Sequence, residues 1–227
     1  MTDASSALQT LERDLVAIFG GRLQSLLHYG HAHAAARPHG HAHGHHEPVL
    51  VHALAVVDTL TADDLRGCAA RITSWHAEGL ATPLVLPASE LARSLDVFPF
   101  ELSAIIADHA VVFGRNPFET LRVEPSDLRW ACEVQARSHL LHLRQGYVEA
   151  RGRDDALSVL IVRSASAWAS LLENIGRLEH KPPATDAVTT LVGVKEISND
   201  EAARIFPAYL ESVERLTKYV DGWSAAT

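Results

Sequence analysis

The chain has 227 residues and a mass of 24.7 kDa, a length that fits one large or two small domains and excludes a disulfide-stapled miniprotein. With 47% apolar and 21% charged residues it has the make-up of a folded globular protein rather than a disordered one. Its net charge of −8 supplies no global positive field, which argues against nucleic acid or an anionic membrane as the main partner.

Leu8, Leu11, Leu15 and Ile18 recur every three or four positions, so Ser5 to Ile18 reads as an amphipathic helix stopped by Gly20 and Gly21. Leu23 to Tyr29 reads as a buried strand, and Pro48 to Val57, rich in β-branched residues, as a second. Between them lies the chain's oddest feature: eight of its 14 histidines fall between His28 and His46, among Ala, Gly, Arg37 and Pro38. Thr61 and Asp64 form a capping box with Asp in place of the usual Glu. Leu65, Cys68, Ala69, Ile72 and Trp75 then make one helical face that ends near Gly79. Pro83 to Pro87 reads as a third strand and Ser89 to Leu95 as a short helix. Val97 to Phe113 reads as two further strands closed by Gly114, with Asp108 and His109 as a polar turn.

Beyond Pro125 the pattern becomes helical. Residues 126–150, 154–179, 185–193 and 199–222 read as helices, with Pro182 and Pro183 as a turn and Ser198 with Glu201 as a capping box. The expected fold is α+β: a mixed sheet with flanking helices over residues 1–122, carrying a His-rich loop at 31–46, then an all-α bundle over 123–227. Trp75, Trp130 and Trp168 sit on helical faces and are expected in the core. Cys68 and Cys132 are far apart, form no CxxC pair and read as small core residues, which suits a reducing compartment. The N-terminus has no basic segment followed by an apolar run, and no stretch reaches about 18 uncharged apolar residues. A cytoplasmic protein that spans no membrane is therefore expected.

The segments Leu26 to Gly30 (LLHYG), Ala53 to Val57 (ALAVV), Asp96 to Glu101 (DVFPFE) and His109 to Gly114, with the helix after Pro125, occur in an order that has a known parallel. The chain resembles bacterial proteins in which a DNA polymerase β-type nucleotidyltransferase domain precedes a HEPN-like helical domain, over nearly its whole length. LLHYG stands in the place of that family's LYGS turn, and ALAVV in the place of its DLLVV strand. The resemblance implies a Gly-Ser turn that holds a triphosphate through backbone N–H groups. It also implies two carboxylates spaced D-x-D on one side of a strand, with a third on a neighbouring strand, all clamping Mg²⁺. Here the turn is Gly30-His31, and Leu50 and His52 occupy the two carboxylate positions. Glu101 is the candidate for the third. An apolar side chain and an imidazole cannot replace two carboxylates around so hard a cation. These degenerate positions predict no catalytic residues, no Mg-nucleotide cofactor and negligible nucleotidyl transfer. An active enzyme transferring a nucleotide to a protein or small molecule is the alternative.

The histidines form a second constellation. His31 and His33, then His39, His41, His43, His45 and His46, stand mostly on alternate residues, so an extended backbone would project their imidazoles to one side. Neutral imidazole suits Zn²⁺, Ni²⁺ and other transition metals, and His52 could lend a fixed ligand. The opposing reading is a low-complexity expansion tolerated in a loop. In the first long C-terminal helix, Arg137, Arg144 and Arg151 recur every seven residues, and Arg137 with His142 fits the loose R-x4-6-H pattern of HEPN ribonucleases, a further alternative. The plainer reading is a solvated basic stripe paired with Glu133 and Glu149. The function expected is binding: a protein partner or self-association through the bundle, and metal through the histidines.

Overall fold

The computed structural model describes residues 4–30 and 50–223, and its chain divides into two compact units at Val123 and Glu124. The first unit is built on a four-stranded mixed sheet in the order β3-β2-β1-β4. Its strands are β1 (Leu23–Tyr29), β2 (His52–Val57), β3 (Leu84–Pro87) and β4 (His109–Gly114). β1 pairs antiparallel with both β2 and β4, and β2 pairs parallel with β3.

The sheet is covered on both faces. Leu23, Leu26, Ala53, Ala55 and Val57 pack with Leu8, Leu11 and Leu15 of helix α1 (Ala4–Phe19) and with Trp75. The alternate residues Leu27, Tyr29, Leu54 and Val56 pack with Leu91, Leu102, Ile105 and Phe118. Two-sided burial explains why β1 and β2 read as almost unbroken apolar runs. Helices α2 (Ala62–Ala69) and α3 (Ile72–Ala77) replace the single helix expected there. The capping box is present as expected, with Thr61 and Asp64 satisfying each other's backbone N–H groups. Asp64 also takes both Arg22 nitrogens at 2.7 and 2.8 Å. Bonded in this way by Arg22 first and Thr61 second, it stays ionised well below the usual carboxylate range. Trp75 donates its indole N–H to Asp14 of α1 at 2.9 Å. Cys68, expected in the core, is only half-buried.

One sequence expectation fails here. Val97 to Phe113 is not two strands: Pro99–Ala107 is a helix, α5, and only β4 follows it. Pro99 opens α5 at the first position, where its missing N–H costs nothing. Helix α4 (Ala88–Arg93) precedes it. At the end of β4, Gly114 has φ +74°, and a Cβ there would lie 1.9 Å from the Gln24 carbonyl oxygen of β1. Only glycine fits so close an approach.

The second unit is a three-helix bundle: α6 (Pro125–Ala150), α7 (Asp154–Glu179) and α8 (Asn199–Asp221). Each helix packs on the other two. Gly146 lets α6 approach α7, because a Cβ there would stand 2.6 Å from Leu160. The helix expected over 185–193 is a single 3-10 turn, Thr189–Leu191. Ser198 accepts from the Glu201 N–H at 3.2 Å, half of the expected box. Cys132 is buried, and burial pushes its thiol up to about 12. Trp130, expected in the core, is 58% exposed. Among the described residues, α7 is one helix long and apolar enough to cross a membrane. It also carries Arg163, and it buries Leu157, Ile161, Ala165 and Trp168 in the bundle.

Gly114→Ala should lower stability by about 2 kcal/mol or more through backbone collision and a strained φ. Urea unfolding checks this, and an unchanged midpoint would contradict the close approach of β4 to β1.

Candidate functional site

Of the residues singled out by sequence, Gly30, Leu50 and His52 lie at one end of the sheet, where β1 finishes. Tyr29 pairs across with His52 of β2 on one side and with His109 of β4 on the other. Directly paired residues share a face, so the three rings form one row on the face that carries Leu27, Leu54 and Val56. The Tyr29 and His52 rings lie 5.7 Å apart. His109 packs edge-on to Phe118 at 5.4 Å, and its Nδ1 lies 3.0 and 3.1 Å from the Ile105 and Ile106 carbonyl oxygens. Two carbonyl partners assign the proton to Nδ1, so Nε2 of the neutral ring is an acceptor. His28 pairs with Ala53 and Ala110 and takes the opposite face. Gly30 follows Tyr29 at φ +82°, and its N–H donates to the Asp108 carbonyl at 3.1 Å.

Gly30 and His52 stand side by side at the strand ends, and Leu50 lies just outside β2, 38% exposed. Val51 is held between them by its bridge to Leu80. Glu101 does not take the third position on a neighbouring strand: it lies in the first turn of α5 and is exposed. None of the four strands contains an Asp or Glu. Asp58 follows β2 at the far end of the sheet, where it accepts from Gln24. His31, His33, His39, His41, His43, His45 and His46 lie outside the described residues. Among the described residues no three His, Cys, Asp or Glu side chains gather as a metal site.

Chemically, the row offers two imidazoles and a phenol, and the backbone N–H of Gly30 is already committed. Such a set suits hydrogen bonding and borderline metals rather than Mg²⁺. Sequence reasoning did not connect Tyr29 or His109 to the site. Strand parity was readable in both segments, but their juxtaposition depends on which strands flank β1, and that order is not written locally.

In the bundle, Arg137 and His142 do not converge. Five residues along a helix turn the direction by about 140°, so the two side chains leave α6 on different sides. Arg137 is held by Glu133 at 3.0 Å and Asp221 at 2.6 Å, while the exposed His142 lies 3.4 Å from the Ser138 hydroxyl. Of the expected acidic partners, Glu133 bonds Arg129 and Arg137, but Glu149 is met by Gln145 rather than by an arginine. Arg144 reaches Glu214 of α8 instead.

The histidine that the bundle does engage is His139. Its Nε2 lies 2.6 Å from the Tyr209 hydroxyl, which donates to Ser164 at 3.0 Å. Its ring stacks on Trp168, whose indole N–H donates to Asp186 at 2.8 Å. Burial, with some repulsion from His142, lowers His139 to about 4, and burial also raises Tyr209.

No family model matches this sequence, and no curated protein matches it. In structure the chain is similar to a spectinomycin adenyltransferase from Enterococcus faecialis solved with ATP and spectinomycin. The TM-score is 0.48 at 12% identity, covering 95% of this chain and 100% of that one.

The His139 environment sets a pH dependence. Folded His139 titrates near 4 and an unfolded histidine near 6.5, so between those values the unfolded chain binds more protons and stability falls as pH drops. The loss is complete below about 4 and amounts to about 3 kcal/mol. Urea unfolding at stepped pH should show this fall in the wild type and a shallower one in His139→Gln. Equal slopes would contradict the burial of a neutral imidazole.

Proposed function

We propose that this chain is a catalytically degenerate protein of nucleotidyltransferase-like fold that acts by binding. It takes a protein partner or a second copy of itself through the helical bundle. It takes a transition metal such as Zn²⁺ or Ni²⁺ through His31, His33, His39, His41, His43, His45 and His46, with His52 as a further ligand. The observation that carries the reading is the absence of any carboxylate on the four strands, with Leu50 and His52 where the resemblance asks for two. Magnesium keeps its waters unless carboxylates and phosphates replace them. The row of Tyr29, His52 and His109 offers neither and so supplies no clamp for a magnesium nucleotide.

The metal arm rests on ligand chemistry. Imidazoles on alternate residues can close around a borderline ion at neutral pH and release it when protonated. The partner arm is supported by the exposure of apolar side chains along α6, with Trp130 the largest.

Labelled ATP, GTP, CTP and UTP, each supplied with Mg²⁺ or Mn²⁺, should leave no label on the protein or on added acceptors above the level of a heat-treated control. Label that disappears in Glu101→Ala would overturn the reading in favour of a working nucleotidyltransferase. Zn²⁺ loaded at pH 7.5 should be released as the pH falls below about 6, and retention at pH 5 would contradict histidine ligation.

A further inference from the structure

Helix α6 turns one face into the bundle through Leu128, Cys132, Ala136, Leu143 and Ala150. The opposite face is also apolar. Trp130 is 58% exposed, Val134 49%, Leu141 64% and Val148 74%. At 100° per residue these four fall within a sector of about 40°, in a stripe about 27 Å long. Exposed apolar residues are ordinary when scattered, but four in line on one helix make a surface that a partner helix can cover.

The charges beside the stripe say what kind of helix. Arg137, Arg144 and Arg151 run along one edge at seven-residue spacing, next to Val134, Leu141 and Val148 in turn. The other edge carries no arginine or lysine: it presents Ser138 and Gln145, with Asp127 and Glu149. Arg137 and Arg144 reach Asp221 and Glu214 of α8, but all four of these side chains are more than a third exposed. Such surface pairs contribute little and exchange readily for other carboxylates. Arg151, at the left-handed C-cap of α6, has no ion pair among the described residues. Glu133 on the same edge is already held by Arg129 and Arg137. An antiparallel second copy of α6 fits less well, since it sets arginines against arginines, and a parallel copy, which sets them against the opposite edge, offers them Glu149 but not carboxylates at seven-residue spacing.

We propose that the outer face of α6 docks an amphipathic partner helix with an apolar seam on the Trp130, Val134, Leu141 and Val148 stripe and carboxylates at seven-residue spacing against Arg137, Arg144 and Arg151. The proposal rests on the partner-binding reading of the bundle and names its surface and its partner's chemistry. Apolar contact provides the attachment, and the one-sided charge sets orientation and excludes basic helices.

The test uses the full chain and two labelled 21-residue amphipathic helical peptides. Both carry a leucine seam, one with Glu and the other with Lys every seventh residue along one flank. Fluorescence anisotropy should show micromolar binding of the Glu peptide and at least tenfold weaker binding of the Lys peptide. Leu141→Glu with Val148→Glu should abolish binding while helix content by circular dichroism is unchanged, since both side chains are exposed. Arg144→Glu with Arg151→Glu should invert the preference towards the Lys peptide. Equal binding of the two peptides, binding of neither, or indifference to these variants would overturn the proposal. So would a dimer, seen by light scattering, that Leu141→Glu dissolves while the Glu peptide fails to bind, since that result would assign the stripe to a second copy. Nucleotide transfer measured on the same preparation reports separately on the degenerate-enzyme reading, so the two can fail independently.

Discussion

Strand β1 is bonded along both edges and buried on both faces, and the first unit is organised around that constraint. A seven-residue strand with β2 on one side and β4 on the other has no freedom of register, because a slip of one residue would exchange Leu26 and Leu27 between two separately packed faces. The chain must leave the strand at Tyr29, and Gly30 accommodates that exit with a left-handed φ. At the entry, Arg22 is fastened to Asp64, which also caps α2, so one carboxylate fixes the turn before β1 and the helix after β2. The row of Tyr29, His52 and His109 follows from this pairing. Three strands that end or begin together place three rings side by side.

The same constraint bears on what can stand at the sheet end, where none of the four strands carries an Asp or Glu. Backbone geometry is set by the apolar interior, which persists in Leu26, Leu27, Leu54 and Val56 whatever residues occupy the strand ends. Leu50, outside β2, and His52, at its first residue, lie at the margin of that interior, so the residues there can differ while the sheet is unchanged. The fold therefore constrains the sheet without fixing the chemistry at the strand ends.

Much of the architecture is legible in the sequence, and the exceptions have physical causes. β1 is readable to the residue because its apolar run is bounded by glycine at both ends. The Thr61 and Asp64 box is readable because capping is a local interaction. Val97 to Ala107 misleads because a short helix with apolar residues on most of its surface has no clear period. Pro99, at home in a first helical turn, was the available signal. Trp130 misleads for a different reason: it stands two residues from Leu128, about 200° around the helix, so the face that buries Leu128 and Cys132 must expose it. The stretch 185–193 is apolar enough for a helix but is held instead by Asp186, which accepts from the Val188 and Thr189 N–H groups. Of the candidate site, Gly30, Leu50 and His52 were visible only through the resemblance of LLHYG and ALAVV to a known turn and strand. The partnership of His52 with Tyr29 and His109 required the strand order.

The proposal that the sheet end holds no magnesium nucleotide is tested most directly by equilibrium binding of Mg·ATP to protein stripped of transition metals. The account predicts no binding up to millimolar concentration. Micromolar binding, about −8 kcal/mol, would show that a phosphate site survives without strand carboxylates and would contradict it.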